Sequence, residues 1–305
     1  MNARNAGQVL ILNIRRNSLD DGPGIRTTVF FKGCLLNCLW CHNPESKKTK
    51  PELSYDSAVC VGCGTCAWGC PESAISENNP YFVDRGKCSL CFKCADACPS
   101  RALKRMGTPM TVAEVAESAL KDAAFYRSSG GGVTLSGGEP TTYMEFCSEL
   151  MSELRGAGVD TLVETCGLFD FDRFSLLILP YASRIFIDIK LMDSARHKEM
   201  CGADNRVILS NARRLIEASA QGGLEILPRI PLIPGVTDTD ENLAAAAAFL
   251  KDCGATRVSL LSYNPTWTDK MRMLGEETKF AASSWTSAEK MESCRAFFKD
   301  FEIVR

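Results

Sequence analysis

The sequence has no long uncharged apolar segment, no excess of basic residues and no apolar leader. Without an apolar run long enough to cross a bilayer, we expect no transmembrane helix and no membrane partner. The 305 residues carry a net charge of −2, which excludes the basic surface typical of nucleic-acid-binding proteins. The first residues, MNARNAGQVLILNIRRNS, lack the features of a signal peptide, so we expect a cytoplasmic protein.

Cysteine, in contrast, is abundant, with 16 residues in the chain. Disulfides are rare in a reducing compartment, and most of these cysteines lie in short, clustered spacings between Cys34 and Cys98, which favours metal clusters. The remaining five are scattered, and we predict that they are small buried apolar residues: Cys147, Cys166, Cys201, Cys253 and Cys294.

Three cysteines, Cys34, Cys38 and Cys41, form a CxxxCxxC motif in the segment KGCLLNCLWCHNPES. Three thiolates at this spacing can hold three corners of a 4Fe–4S cluster and leave the fourth iron open to a small molecule. A zinc site or an electron-transfer cluster normally takes four protein ligands. The motif therefore indicates chemistry at the cluster.

A second cysteine pattern occurs twice, as CVGCGTCAWGCP in residues 60–71 and CSLCFKCADACP in residues 88–99. This is the spacing of bacterial two-cluster ferredoxins, in which the fourth cysteine of each motif binds the other cluster. The spacing predicts one 4Fe–4S cluster on Cys60, Cys63, Cys66 and Cys98, and another on Cys88, Cys91, Cys94 and Cys70. Paired zinc knuckles are the alternative, and the matched CP endings argue against them. The clusters could relay electrons, dock an electron donor or stabilise the insert.

The repeat lies in an insert, residues 54–107, between the start of a larger domain in residues 1–53 and its remainder in residues 108–305. After the insert, strand and helix patterns alternate, which predicts an α/β fold with a parallel sheet covered by helices. The number of units suggests a barrel, open or closed. Its reactive groups would lie at the carboxyl ends of the strands, where the sequence places the cysteine loop, SGGEP, ETCG, DIK, PRIPLIPG and SYNP.

The CxxxCxxC motif, with Trp40 before its last cysteine, and the SGGEP segment resemble the radical S-adenosylmethionine (SAM) enzymes. The segments DDGPGIRTTVFFKGC and CHNPE resemble, more narrowly, the activating enzymes of glycyl radical enzymes. The resemblance covers nearly all of the chain. It implies a partial (β/α)6 barrel with an inserted ferredoxin-like domain, and hence three 4Fe–4S clusters with SAM as cosubstrate.

In such an activating enzyme, Cys34, Cys38 and Cys41 would hold the SAM-binding cluster. A 5′-deoxyadenosyl radical from SAM would abstract the Cα hydrogen of one glycine on a partner glycyl radical enzyme. The electron donor would be a flavodoxin or a ferredoxin, and we expect a monomer.

The resemblance also assigns SAM contacts. Gly137, Gly138 and Glu139 match the motif that grips the SAM amino group, with the carboxylate paired to the ammonium. Asp188 and Lys190 match a D-x-K motif that contacts SAM, although alternating charges at a strand end would give the same pattern. Arg229 matches a basic residue near the SAM carboxylate, or it could serve in an ordinary ion pair.

Other positions match with more variation. Asp21 matches a residue that contacts the partner's glycine loop, and we expect His42 to hydrogen-bond near the cluster or SAM and His197 to lie at the surface. Glu164 and Thr165 match a monovalent-cation site of the pyruvate formate-lyase activator, which has Asp in place of Glu164. That relative also has a Tyr-His pair where this chain has Tyr263 and Asn264, and an amide cannot carry the charge of an imidazole.

Three functions are compatible with these patterns. The first is activation of a glycyl radical enzyme, and the second is radical SAM chemistry on a small molecule or another protein. DGPGIR and CHNPE favour the first. The third is an electron carrier fused to a structural barrel, which an open iron corner argues against.

Overall fold

The computed structural model describes residues 7–220, 222–280 and 282–304. Its larger sheet has nine strands in the order β11-β10-β9-β8-β7-β6-β2-β1-β5. The strands of this sheet are β1 (Val9–Ser18), β2 (Arg26–Phe31), β5 (Thr108–Met110), β6 (Gly132–Gly137), β7 (Asp160–Thr165), β8 (Arg184–Asp188), β9 (Glu225–Leu232), β10 (Arg257–Ser262) and β11 (Glu302–Val304).

Strand β2 and the six strands β6 to β11 are parallel to one another, whereas β1 is antiparallel to both β2 and β5. The outermost strands of the order, β5 and β11, are not paired with each other, so the barrel is open. The predicted α/β fold, a partial barrel built on a parallel sheet, is confirmed. Strands β1, β5 and β11 were not predicted, and they extend the sheet beyond the six repeated units.

Helices connect the parallel strands and cover the outer face of the sheet. They are α3 (Val112–Leu120), α4 (Ala123–Ser129), α5 (Met144–Gly156), α6 (Phe171–Leu177), α7 (Ser194–Cys201), α8 (Arg206–Ser219), α9 (Asp240–Asp252), α10 (Trp267–Met273) and α11 (Ala288–Arg295). Thr111 begins α3 with a capping box to Glu114. The single helix predicted for residues 111–129 is interrupted at Asp122, whose buried carboxylate turns to accept hydrogen bonds from Arg16 and Thr27.

The main core lies between the sheet and these helices, where alternate strand residues such as Val133, Leu135 and Ile185 meet Leu150 and Leu215. The opposite face of the sheet lines the barrel interior. There a small apolar layer of Leu162, Phe186 and Leu227 lies below the polar residues at the strand ends. This arrangement leaves the carboxyl ends of the strands free to build a site.

The insert forms a separate two-stranded sheet, in which β3 (Glu52–Tyr55) pairs with β4 (Leu103–Met106). Between these strands lie two single-turn helices, α1 (Thr65–Trp68) and α2 (Lys93–Asp96). Arg85 ties the insert to the barrel because its guanidinium donates to the main-chain oxygens of Leu53 and Met273. No helix within the described ranges is long and apolar enough to cross a membrane.

Candidate active site

The loop of Cys34, Cys38 and Cys41 follows β2 at the carboxyl end of the sheet. The end of helix α7 fixes its backbone, since Asn37 N–H donates to Cys201 O at 2.7 Å and Leu39 N–H to Met200 O at 3.0 Å. Lys47 Nζ adds a hydrogen bond of 2.8 Å to Cys38 O. The backbone of the loop is therefore fixed by hydrogen bonds to its main-chain groups.

A cavity of about 290 Å³ opens beside this loop, at the carboxyl ends of β6–β10. Most of the predicted site residues line it: Cys34, Cys38, Cys41, His42, Gly137, Gly138, Glu164, Thr165, Asp188, Lys190 and Arg229. The structure thus brings together residues that are almost 200 positions apart in the chain. The volume lies near the lower end of the range usual for small-molecule sites.

Gly137 and Gly138 are required by close backbone packing. A Cβ at Gly137 would lie 2.5 Å from Phe31 N, and one at Gly138 would lie 2.2 Å from Gly33 O. Gly137 also has a φ of +106°, which side chains rarely adopt. These two glycines let the end of β6 pack directly against the start of the cysteine loop and form one wall of the cavity.

Glu139 is held by a network of hydrogen bonds beside the cavity. Its side chain is fully buried, and its carboxylate accepts hydrogen bonds from Thr141 N–H at 3.1 Å, Thr141 Oγ1 at 2.8 Å, Thr165 Oγ1 at 2.9 Å and Cys166 N–H at 2.7 Å. It is not among the residues that line the cavity, and its pairing with the SAM ammonium stays a prediction. Glu139 joins the end of β6 to the ETCG turn after β7.

The cavity wall opposite the glycines carries four charged side chains. Arg229 lies between two carboxylates, with Nη1 2.5 Å from Glu164 Oε1 and Nε 3.0 Å from Asp188 Oδ1. Lys190 Nζ is 3.1 Å from Asp188 Oδ2. Burial opposes ionisation of Asp188, but the adjacent Lys190 and Arg229 hold the pKa of its carboxyl below the ordinary value. The Asp188 carboxylate is therefore ionised at neutral pH.

His42 faces the cavity with an unpartnered atom. Its Nε2 is buried and has no hydrogen-bond partner, and its ring packs against Tyr263 with 5.6 Å between centroids. Burial, followed by the charge of Lys270, lowers the pKa of His42, so the imidazole is neutral. A buried unpaired ring nitrogen is costly unless a ligand completes it.

The insert gathers its cysteines around two cavities. Cys60, Cys63, Cys66 and Cys98 line one of about 420 Å³, and the smaller one is lined by Cys70, Cys88, Cys91 and Cys94. The two groups are the crossed sets that the ferredoxin spacing predicts. Across the described ranges, no three His, Cys, Asp or Glu side chains converge on a single metal ion.

Residues 20–70 match the family model of a 4Fe-4S single cluster domain. An isethionate sulfite-lyase activating enzyme of Nitratidesulfovibrio vulgaris is 41% identical over 274 residues, which cover 88% of each chain. A benzylsuccinate synthase activating enzyme of Thauera aromatica is 37% identical over 292 residues, or 92% of this chain and 87% of that relative. The chain belongs to the glycyl radical enzyme activating enzymes.

The fold agrees with this family. A radical SAM methyltransferase from Sphaerobacter thermophilus superposes with a TM-score of 0.55 at 16% identity, covering 98% of this chain and 76% of that one. The two chains share a fold, which agrees with the predicted partial barrel, and the 4Fe-4S family model agrees with an iron–sulfur enzyme. Family membership excludes the alternative of an electron carrier fused to a structural barrel.

The DGPGIR segment of the activating enzyme is anchored from within. Arg26 is fully buried, and its guanidinium contacts Thr134 Oγ1 at 2.7 Å and Asp160 at 3.0 Å. Thr134 Oγ1 in turn donates to the main-chain oxygen of Asp21 at 2.7 Å, and the Asp21 carboxylate accepts a hydrogen bond of 2.7 Å from Thr28. Asp21 is half-buried at the barrel interior, and its contact with a partner stays a prediction.

Other residues lie elsewhere than the sequence suggested. His197, predicted at the surface, is only 1% exposed, and its Nδ1 is 2.6 Å from Ala203 O. The side-chain oxygen of Asn264 accepts a hydrogen bond from Thr266, and the residue does not line the cavity. The five scattered cysteines are buried as predicted, but Cys166 also lines the cavity, which nothing in its spacing indicated.

Proposed function

We propose that this activating enzyme binds SAM at a 4Fe–4S cluster on Cys34, Cys38 and Cys41 and installs a glycyl radical on a partner enzyme. The supporting observation is that these three thiols line one cavity with two close-packed glycines and the charged group of Asp188, Lys190 and Arg229. When bound, the cluster supplies the electron that cleaves SAM to methionine and a 5′-deoxyadenosyl radical, which takes the Cα hydrogen of a glycine.

Each residue has a defined part in holding the cosubstrate. The main chain of Gly137 and Gly138 lines the cavity, where it would contact the methionine moiety, while both residues pack against the backbone of β2 and the cysteine loop. Lys190 and Arg229 supply positive charge for its carboxylate, and the neutral His42 imidazole offers Nε2 to a donor. Asp21, on the barrel-lining segment, would contact the glycine loop of the partner.

The eight insert cysteines would hold two further 4Fe–4S clusters, which gives three in total. The gathering of each crossed set around its own cavity supports this assignment. A flavodoxin or a ferredoxin is the proposed donor, in a monomeric, cytoplasmic enzyme. Relatives act on isethionate sulfite-lyase, benzylsuccinate synthase and choline trimethylamine-lyase, by their names, so candidate partners come from these classes.

Electron paramagnetic resonance of the reduced enzyme tests the proposal. We expect the spectrum of the N-terminal cluster to change when SAM is added, and a glycyl radical doublet to appear when the correct partner is supplied. Cys166 lies beside the same loop and could act as a fourth ligand. We therefore expect the Cys166→Ala variant to give the same spectrum without SAM as the wild-type enzyme. A changed spectrum would mean that Cys166 caps the fourth iron, and a missing response to SAM would contradict the proposal.

A further inference from the structure

The carboxylates of Glu164 and Asp188 present four oxygens to the cavity wall, and each oxygen already accepts a hydrogen bond. Arg229 donates to one oxygen of each carboxylate, at 2.5 Å and 3.0 Å. Ser136 Oγ donates to the second oxygen of Glu164 at 2.5 Å, and Lys190 Nζ to the second oxygen of Asp188 at 3.1 Å. No carboxylate oxygen of this pair lacks a donor.

Thr165, the other residue predicted to contact a monovalent cation, is engaged as well. Its hydroxyl donates to Glu139 Oε1 at 2.9 Å and accepts from Gly167 N–H at 3.1 Å. Its oxygen therefore faces the ETCG turn and the buried Glu139. Glu164 and Thr165, the two residues predicted for the cation site, and the adjacent Asp188 thus have their side-chain oxygens hydrogen-bonded within the protein.

Charge leads to the same conclusion. The group contains two carboxylates, Glu164 and Asp188, and two permanent cations, Lys190 and Arg229, so its formal charges cancel. The group therefore has no net negative charge to offset the cost of taking an additional monovalent cation out of water. The residues present do not fit a bound K⁺ or Na⁺ ion.

We propose that the Arg229 guanidinium is the fixed cation of this site, bridging Glu164 and Asp188, and that the enzyme needs no K⁺ or Na⁺ to bind and cleave SAM. The inference rests on the proposed SAM site, and it concerns the ion requirement of that site alone.

The first test compares salts on the reconstituted wild-type enzyme under anaerobic conditions. SAM dissociation constants and 5′-deoxyadenosine release are measured in KCl, NaCl and tetramethylammonium chloride at equal ionic strength. We expect values within about twofold of one another, a difference of less than about 0.5 kcal/mol. A loss of about tenfold or more in tetramethylammonium chloride would overturn the inference. Failure to cleave SAM in every salt would instead contradict the proposed function.

The second test removes the fixed cation with Arg229→Gln, and it includes the melting temperature as a readout independent of turnover. We expect KCl to raise the melting temperature and tighten SAM binding of this variant relative to tetramethylammonium chloride. The matched control is Arg184→Gln, which also removes an arginine that bridges two carboxylates, Asp160 and Glu225, away from the cavity. The control should show no K⁺-specific gain. An Arg229→Gln variant that ignores K⁺ in both readouts would overturn the inference.

Discussion

The Lys270 ammonium lies 2.9 Å from the main-chain oxygen of His42 and 2.9 Å from Oε1 of Glu45. It also lies 3.1 Å from Asn43 Oδ1, so one side chain of α10 holds the segment directly after the cluster cysteines. The same helix ends at Met273, whose main-chain oxygen accepts from Arg85 of the insert. Helix α10 thereby links the cysteine loop, the barrel and the insert.

Replacing Lys270 with Met should weaken this link. Glu45 Oε2 is already buried without a partner, so loss of the ammonium would leave its carboxylate unpaired in a buried position. A hydrogen-bonded charge of this kind contributes about 1–3 kcal/mol. We expect a lower melting temperature of the reconstituted enzyme and faster iron loss to a chelator.

Lys48→Met is the matched control, because Lys48 is also held in ion pairs, with Glu52 and Glu276, but is more than half exposed. Exposed pairs contribute about 0–1 kcal/mol. Equal effects of the two substitutions would show that Lys270 has no special role in positioning the loop.

Cys38→Ala should remove the SAM-binding cluster and leave the insert clusters. The variant should retain about eight irons per chain, the content of two four-iron clusters, and release no 5′-deoxyadenosine. The control is Cys253→Ala, which changes a buried cysteine of the main core, away from the cysteine loop, and should keep the full iron content. SAM cleavage by Cys38→Ala would refute the assignment of the cluster ligands.

Local sequence patterns predicted the features that depend on spacing. The parallel strands and the capped helix at Thr111 correspond to the structure because period and capping chemistry are local properties. Each crossed cysteine set of the insert lines a cavity of its own, and its binding of a cluster stays a prediction. The residues that line the cavity could be predicted because the carboxyl ends of parallel strands meet at one edge of the sheet.

The remaining features depend on tertiary neighbours. The sequence could not show that Glu139 is satisfied by Thr165 and the backbone of Cys166 as well as by the neighbouring Thr141, because Thr165 and Cys166 come from the end of another strand. His197 lies in a polar helical stretch, yet its ring is buried and forms a hydrogen bond with the carbonyl of Ala203. Short edge strands such as β11 form by pairing with a distant neighbour and carry too few residues for a periodic signal.

Asp21→Asn should separate SAM cleavage from partner activation. The amide keeps one acceptor for the Ser18 and Thr28 hydroxyls but loses the negative charge offered to the partner. We expect the rate of glycyl radical formation to fall by a larger factor than the rate of SAM cleavage without partner. The control is Asp20→Asn, which changes the neighbouring, exposed residue and should alter neither rate. Equal losses in both rates would place Asp21 in cosubstrate binding instead.

Gly24→Ala should disrupt the DGPGIR segment through a steric clash. A Cβ at this position would lie 2.4 Å from Gly131 N, and the φ of +72° adds the cost of a left-handed conformation. Gly130 has a similar φ of +70° but open space around its Cβ position, so Gly130→Ala carries only the conformational cost, about 1–2 kcal/mol. Overpacking adds about 1–3 kcal/mol at Gly24. Denaturant unfolding should therefore rank Gly24→Ala well below Gly130→Ala, and equal stabilities would mean that the segment can move away from Gly131 without cost.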